Sequence, residues 1–180
     1  GEAFYLPMVE VLSYLAANDF KVYIVSGCDR QALRVLVKGI LPVEPEHVIG
    51  SDAWIRASQQ GDTNGLEYVY GKQDELVRGQ YLLENTGMNK VSLIAKEIGR
   101  QPVLAFGNSK GDASMLNYTI QDNKYKSAAF ILLCDDVDRE PGNLQKAQRI
   151  KAMAEQNGWI SISMKHEFKT IYGPSVKRVQ

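Results

Sequence analysis

The chain has 180 residues and a mass of 20.1 kDa, which predicts a single domain spanning 1–180. Hydrophobic residues make up 44% and charged residues 23%, an ordinary globular composition that excludes disorder and collagen-like repeats. Twenty-one Lys and Arg balance twenty-one Asp and Glu, so no general nucleic-acid-binding field is expected. No apolar run approaches the roughly 18 residues of a membrane span. We therefore expect neither nucleic acid nor a membrane as a partner.

The cysteine content and the N-terminal segment bear on the cellular compartment. Cys28 and Cys134 are too few for a disulfide scaffold and are compatible with free thiols in a reducing compartment. The opening residues, GEAFYLPMVEVL, have no basic region ahead of an apolar stretch and do not form a signal peptide. These features slightly favour the cytoplasm, whereas the sequence carries no signal for the oligomeric state.

The first half of the chain alternates helical and strand patterns. Residues 4–18 place apolar side chains at helical spacing and predict an amphipathic helix, and KVYIVSG (21–27) predicts a buried strand. Asp29 is a candidate N-cap for the helix that follows, and HVIG (47–50) is expected to form another short strand. Residues 52–84 contain alternating stretches separated by turn-rich clusters, which predict a β-rich excursion of two or three strands.

The second half continues the alternation. In order, we expect a helix over 88–99, a strand over 102–109, a short helix over 112–118, a strand over 129–134, a helix over 142–156 and a last strand over 159–164. The residues after 164 are expected to be peripheral. Strands alternating with helices predict an α/β fold built on a mostly parallel sheet with helices on both faces. Ligands of such sheets bind beyond the carboxyl ends of the strands.

Small polar residues occupy those positions in this chain. Ser26 and Gly27 precede a helix start, where a hydroxyl and free backbone N–H groups can hold a phosphate oxygen. Asn108 and Asp112 lie four apart around a tight turn, and two oxygen ligands from one loop suit Mg²⁺. Lys90 lies near the start of its helix and could neutralise a phosphate. Each feature also has an ordinary structural interpretation, namely a strand-to-helix turn, a helix N-cap and a solvated lysine.

Taken together, YIVSG, NKVSLIAKEIG and PVLAFGNSKGDASML resemble the second, third and fourth motifs of the haloacid dehalogenase superfamily, in order and spacing. The most similar branch is that of the phosphoserine-phosphatase-like phosphatases, and the resemblance implies a Rossmann-like core sheet. It implies that Ser26 and Gly27 bind phosphate and that Lys90 steadies the nucleophile and the phosphoryl group. It further implies that Asp112, helped by Asn108, holds Mg²⁺ directly or through water. The implied reaction is Mg²⁺-dependent hydrolysis of a small phosphorylated substrate through an aspartyl-phosphate.

Two features depart from the family pattern. Nothing before Ser26 supplies the first motif, an Asp-x-Asp-x-Thr or Val whose first Asp is the nucleophile. We therefore expect the C-terminal portion of a longer enzyme, an incomplete core domain that lacks the first strand and the cap and is inactive alone. Asn108 stands where the family has Asp, which predicts weaker metal binding. Asp136-x-Asp138 superficially resembles a first motif, but Glu140 stands where Thr or Val belongs. Asp135 and Asp136 are therefore expected to line the rim of the site or to cap the following turn.

Two alternatives stay open. A non-catalytic binding or interaction module would keep the fold without the chemistry, and the absent first motif and Asn108 favour that interpretation. A phosphomutase or a dehalogenase could use the same fold, because a fold does not determine a function. The cap usually sets specificity in this family, so the sequence does not predict the substrate.

Overall fold

A computed structural model describes residues 4–174 and residue 176. Its main elements are α1 (Leu6–Ala17), β1 (Ile24–Asp29), α2 (Arg30–Val37), β2 (Val48–Ala57), β3 (Leu76–Leu83), α3 (Met88–Leu93), β4 (Leu104–Gly107), α4 (Ala113–Ile120), β5 (Ala128–Leu133), α5 (Leu144–Asn157), β6 (Ile160–Ser163) and α6 (Met164–Glu167). A π-helical segment, Ile94–Ile98, continues α3. Within the described ranges, no helix combines the length and the apolar character needed to cross a bilayer.

The described strands form two sheets of three strands each. In the first sheet β1 pairs in parallel with β2, and β2 pairs antiparallel with β3. In the second sheet β4, β5 and β6 all run parallel. The α/β class and the predominance of parallel pairing are therefore confirmed. The described strands do not form the one continuous sheet that we predicted, because a groove separates the facing edges of β1 and β4.

Helices bury the apolar faces of both sheets. In the first sheet Leu33 and Val37 of α2 pack against Val48 of β2. In the second sheet Leu116 of α4 packs in one cluster with Ile131 of β5, and α5 contributes to the same cluster. Each sheet thus has its own apolar core, as expected for sheets covered by helices.

Three helix boundaries follow from local sequence signals. The carboxylate of Asp29 accepts hydrogen bonds from the backbone N–H groups of Gln31 and Ala32, which confirms it as the N-cap of α2. Helix α5 begins after Asn143, whose side chain accepts a hydrogen bond from Lys146 N. It ends before Gly158, which adopts a φ of 73° that favours glycine. Each signal acts within a few residues, so a single sequence reveals all three.

The excursion over 52–84 is a two-stranded hairpin, and its first strand is longer than predicted. The predicted short strand continues from Val48 without a break to Ala57 and forms β2, which pairs with β3, whereas His47 belongs to the preceding turn. The stretch LEYVYG (66–71) is not a strand. Side-chain bonds to Asp74 order this loop instead, since its carboxylate accepts from Tyr68 Oη and Gly71 N at 2.8 Å each.

The segment after β6 departs from the prediction that it is peripheral. Phe168 and Ile171 are buried and pack with Leu132 and Met164 in a third apolar cluster. The prediction was wrong for these residues because their burial depends on contact with Leu132 of β5, which lies more than 30 residues earlier in the chain. The same prediction also covered residues 175 and 177–180, which lie outside the described part of the chain.

The guanidinium of Arg30 links three elements. It donates to both carboxylate oxygens of Asp52 on β2, at 2.6 and 2.7 Å. It also donates to both carboxylate oxygens of Glu97 in the π-helical segment, at 2.7 and 2.6 Å. The hydrogen bonds that Arg30 donates to Glu97 outweigh the effect of burial and raise the pKa of Arg30. Arg30 therefore ties the start of α2 to β2 and to the helix that follows the hairpin.

We expect Arg30→Met to lower the free energy of unfolding by about 2 kcal/mol, because it leaves two half-buried carboxylates facing each other without a cation. Arg78→Met is the matched control, since the Arg78–Asp29 ion pair is far more exposed and should contribute less than about 1 kcal/mol. Urea unfolding of both variants measures the difference. Equal losses in the two variants would contradict the structural role of Arg30.

Candidate functional site

A cavity of about 400 Å³ lies where the carboxyl ends of β1 and β4 meet the start of α3. All five residues that the sequence analysis assigned to phosphate or metal binding line it: Ser26, Gly27, Lys90, Asn108 and Asp112. They come from three segments that are distant in the chain. The structure therefore brings them together at the strand ends, where α/β sheets usually bind ligands.

The Lys90 side chain is buried at the centre of this cavity, with 5% of the residue exposed. Its ammonium donates to Asp112 Oδ1 at 2.8 Å and to the carbonyl oxygen of Val25 at 2.6 Å. The structure thus excludes the interpretation of Lys90 as a solvated surface lysine. An ammonium carries three N–H donors, so one donor remains for a ligand.

Asp112 both pairs with Lys90 and organises the loop 107–112. Its Oδ2 atom accepts hydrogen bonds from Asn108 N and Ser109 N at 3.0 Å and from Ser109 Oγ at 3.1 Å. Burial alone would raise the pKa of Asp112, but the hydrogen bonds from Lys90 and Asn108 N outweigh burial and lower it below its usual value. Asp112 is therefore a charged acceptor that is already engaged on both oxygens.

Two glycines allow the loop to approach its surroundings closely. A Cβ atom on Gly107 would lie 2.7 Å from the Cβ of Asp112, and one on Gly111 would lie 2.7 Å from Thr86 Oγ1. The backbone of Gly111 also accepts a hydrogen bond from Gly87 N at 2.9 Å. The glycines in this loop therefore serve close packing against Asp112 and against the residues before α3.

Asn85 supports the end of β1, a role that the sequence did not indicate. It is fully buried, and its Nδ2 donates to the carbonyl oxygens of Ser26 and Ile49 at 3.1 and 3.2 Å. Its backbone N–H donates to Ser51 Oγ at 2.9 Å. The Ser26 hydroxyl itself accepts from Cys28 N at 3.1 Å and keeps its own hydrogen for a ligand. Asn followed by Thr and Gly is typical of a turn, so no sequence signal pointed to Asn85.

The oxygen atoms at this site suit a hard cation such as Mg²⁺. The Asn108 side chain lines the cavity without a hydrogen bond to any described residue. Asp112 Oδ1 accepts only from Lys90 and retains a lone pair. In the described ranges no cluster of three or more His, Cys, Asp or Glu could hold a metal. Mg²⁺ would therefore need water and phosphate oxygens to complete its coordination, as is usual for this ion.

Asp136 is not part of the cavity and instead caps a turn. Its Oδ1 accepts from the backbone N–H groups of Asp138 and Arg139, and its Oδ2 accepts from Arg139 Nε. The Arg139 guanidinium continues to the carbonyl oxygens of Met164 and Lys169. Of the two expectations for Asp136, the structure shows the turn cap.

Searches with protein-family models and against curated proteins both give no match to this chain. The geometry of the cavity is therefore the basis on which a function is inferred.

Proposed function

We propose that this chain forms the phosphate- and Mg²⁺-binding part of a phosphomonoester hydrolase of the haloacid dehalogenase type. The observation that carries the proposal is the convergence of Ser26, Lys90 and the loop 107–112 on one cavity at the strand ends. The resemblance of the same three segments to the motifs of that superfamily supports it, and a Rossmann-like core sheet belongs to the proposal. The substrate is a small phosphorylated molecule.

The cavity residues take distinct roles in this proposal. The Ser26 hydroxyl and the remaining N–H of Lys90 donate to the oxygens of the phosphoryl group, together with backbone N–H groups near Gly27. Asp112 holds the Lys90 side chain in place through their ion pair. The side-chain carbonyl oxygen of Asn108 would bind Mg²⁺ directly, and Asp112 would contribute directly or through water. Bound Mg²⁺ would offset the negative charge of the phosphate.

The attacking carboxylate comes from outside the described residues. In the described part of the chain the acidic residues lining the cavity are Glu84 and Asp112. Asp112 is engaged by Lys90 and by the loop backbone, and Glu84 lies on the exposed rim. We therefore propose that the isolated chain binds phosphate without turnover and that a further segment supplies the nucleophile of the aspartyl-phosphate.

Phosphate binding tests this proposal directly. Isothermal titration with inorganic phosphate in the presence of Mg²⁺ should give saturable binding, and Ser26→Ala should weaken it about tenfold, the value of one hydrogen bond to a charged group. Ser92→Ala is the matched control, because Ser92 is exposed and donates only to Met88 O on its own helix. Absence of binding by the parent chain, or equal binding by Ser26→Ala, would exclude the proposed phosphate site.

Metal binding provides a second test at position 108. Asn108→Asp should bind Mg²⁺ about tenfold more tightly, because a carboxylate adds a negative charge to a site that now offers an amide oxygen. Asn64→Asp introduces the same charge in the hairpin loop, away from the cavity, and should leave Mg²⁺ affinity unchanged. Titration of the chain with Mg²⁺ measures both variants. No gain in Asn108→Asp would argue against Asn108 as a ligand.

A phosphate-binding module without catalysis is the second candidate. The engagement of both Asp112 oxygens and the presence of Asn108 favour it. The two candidates differ in their response to the metal. A hydrolase site should bind phosphate more tightly when Mg²⁺ is added, whereas a binding module built on Ser26 and Lys90 alone should bind phosphate equally well without it.

A further inference from the structure

One wall of the cavity differs in character from the wall that carries the phosphate-binding residues. It is formed by Tyr5 and Met8 near the start of α1, by Leu132 of β5 and by Ile162 of β6. Met8, Leu132 and Ile162 are apolar, so Tyr5 contributes a hydroxyl to an otherwise apolar group. The cavity volume of about 400 Å³ is in the range of small-molecule sites. It therefore has room for an organic group beside the phosphate.

Tyr5 is held in this wall by the segment that follows β6. The centroids of the Tyr5 and Tyr172 rings are 5.6 Å apart, and the ring planes are inclined at 36°. Leu6 N, in the next residue, donates to the carbonyl oxygen of Ile171 at 2.8 Å. Both tyrosines pack against the apolar cluster that contains Leu132 and Ile171. The position of the Tyr5 side chain is therefore set by tertiary contacts.

The two tyrosines lie near a buried carboxylate. Glu140 is 7% exposed and belongs to none of the ion pairs between described residues. Its Oε1 atom is buried without a hydrogen-bond partner among them. The Tyr172 hydroxyl interacts with the Glu140 carboxylate and with the Tyr5 hydroxyl, and burial and the contact with Glu140 raise the pKa of Tyr172. A carboxylate buried without a cation is costly unless neighbouring donors satisfy it, and Tyr172 is such a donor.

The single proton of each hydroxyl sets the direction of the hydrogen bonds in this chain of groups. A carboxylate only accepts hydrogen bonds, and it accepts them more strongly than a phenol oxygen does. The Tyr172 proton is therefore directed to Glu140, and the Tyr172 oxygen accepts the proton of Tyr5. Partial burial raises the pKa of Tyr5 as well, so Tyr5 is a neutral phenol. With its proton engaged, the Tyr5 oxygen can only accept a hydrogen bond from a ligand.

We propose that Tyr5 is a specificity-determining residue that accepts a hydrogen bond from a free hydroxyl on the organic group of the substrate. Tyr172 and Glu140 are positioning residues that act through Tyr5. The substrate class is then a phosphomonoester that keeps a hydroxyl near the phosphate. A hydroxyl fits this wall better than an ammonium group, because one acceptor would leave the other donors of an ammonium unpaired. The inference rests on the proposed function, since the phosphate must bind at Ser26 and Lys90 for the organic group to reach this wall.

Phosphonates that differ in one group test the proposal. The probes are 2-hydroxyethylphosphonate, 2-methoxyethylphosphonate, 2-aminoethylphosphonate and inorganic phosphate, each titrated by calorimetry into the 180-residue chain with Mg²⁺. The hydroxyl compound should bind about fivefold more tightly than the methoxy compound, the value of one neutral hydrogen bond. The amino compound should bind no more tightly than the hydroxyl compound. Equal binding of the hydroxyl and methoxy compounds, or tightest binding of the amino compound, would overturn the proposal.

Variants test the three residues through the ratio of the affinities for the hydroxyl and methoxy compounds. Tyr5→Phe should remove the preference, whereas Tyr14→Phe, exposed on α1, should keep it. Glu140→Gln should also remove the preference, because an amide donates as well as accepts and no longer sets the direction of the Tyr172 proton. Glu155→Gln, exposed on α5, is the matched control and should keep the preference.

The outcomes separate this inference from the proposed phosphate site. If the parent chain binds none of the four ligands, the phosphate site fails and this inference fails with it. If the parent chain binds inorganic phosphate but Tyr5→Phe keeps the preference for the hydroxyl compound, the role of Tyr5 alone is overturned. Circular dichroism monitors folding of the variants. Tyr172→Phe takes the place of Glu140→Gln if the latter unfolds, because it removes the link between Tyr5 and Glu140 and should likewise remove the preference.

Discussion

Lys90→Met is expected to abolish phosphate binding and to lower the free energy of unfolding by about 3 kcal/mol. The loss arises because the Asp112 carboxylate stays buried without its cation. Adding Asp112→Asn to Lys90→Met should restore part of the stability, since neither buried charge then remains, while phosphate binding stays absent. Titration calorimetry and urea unfolding measure the two effects.

Lys96→Met is the control for this pair, because Lys96 is exposed on the π-helical segment and its removal should change neither property. If the losses in free energy of unfolding of Lys90→Met and of Asp112→Asn simply add in the double variant, Lys90 and Asp112 are not coupled.

Unfolding in acid provides an independent check of this pair. The folded-state pKa of Asp112 is below its usual 3.8, so its contribution is complete above that value and is lost as the pH falls through the folded-state pKa. Below about pH 4 the parent should therefore lose stability more steeply than Asp112→Asn.

Gly50→Ala is expected to lower the free energy of unfolding by about 3 kcal/mol. A Cβ atom at this position on β2 would lie 2.6 Å from Arg30 Cα and 2.8 Å from the carbonyl oxygen of Cys28. Both are backbone atoms, so the steric clash can be removed only by moving the junction between β1 and α2. Because Ser26 lies just before that junction, phosphate binding should weaken as well.

Gly65→Ala is the matched control for Gly50→Ala, because the nearest atom to its Cβ would be Gln60 Nε2 at 3.8 Å. Thermal unfolding of the two variants should differ by several degrees. Similar melting temperatures would show that β2 can move away from the junction at little cost.

The features predicted from the sequence are those that depend on local spacing. Asp29 was identified as a helix cap because the cap acts on the next two or three residues. The convergence of Ser26 and Asp112 followed from one general rule, that polar residues after parallel strands share an edge of the sheet. Lys90, near the start of a helix, was expected there from the family resemblance. The cavity confirms this convergence, while the catalytic roles stay predictions.

The features that the sequence did not predict depend on contacts between distant residues. Asp74 orders the loop before β3 by accepting from Gln59 N, fifteen residues earlier, as well as from Tyr68 Oη and Gly71 N. The loop is therefore not a strand, although its alternating residues are typical of one. Asn85 acquires its role only because three other segments surround it. The separation of the two sheets depends on which strand edges are adjacent, and spacing along one chain does not encode that.

The continuous helix formed by α3 and the π-helical segment makes contacts near both of its ends. Lys90, in its first turn, reaches into the cavity, and Glu97, near its end, holds Arg30 at the start of α2. Both contacts depend on the position of this one helix. We therefore expect a ligand that binds Lys90 to slow the opening of α2, which that ligand does not touch.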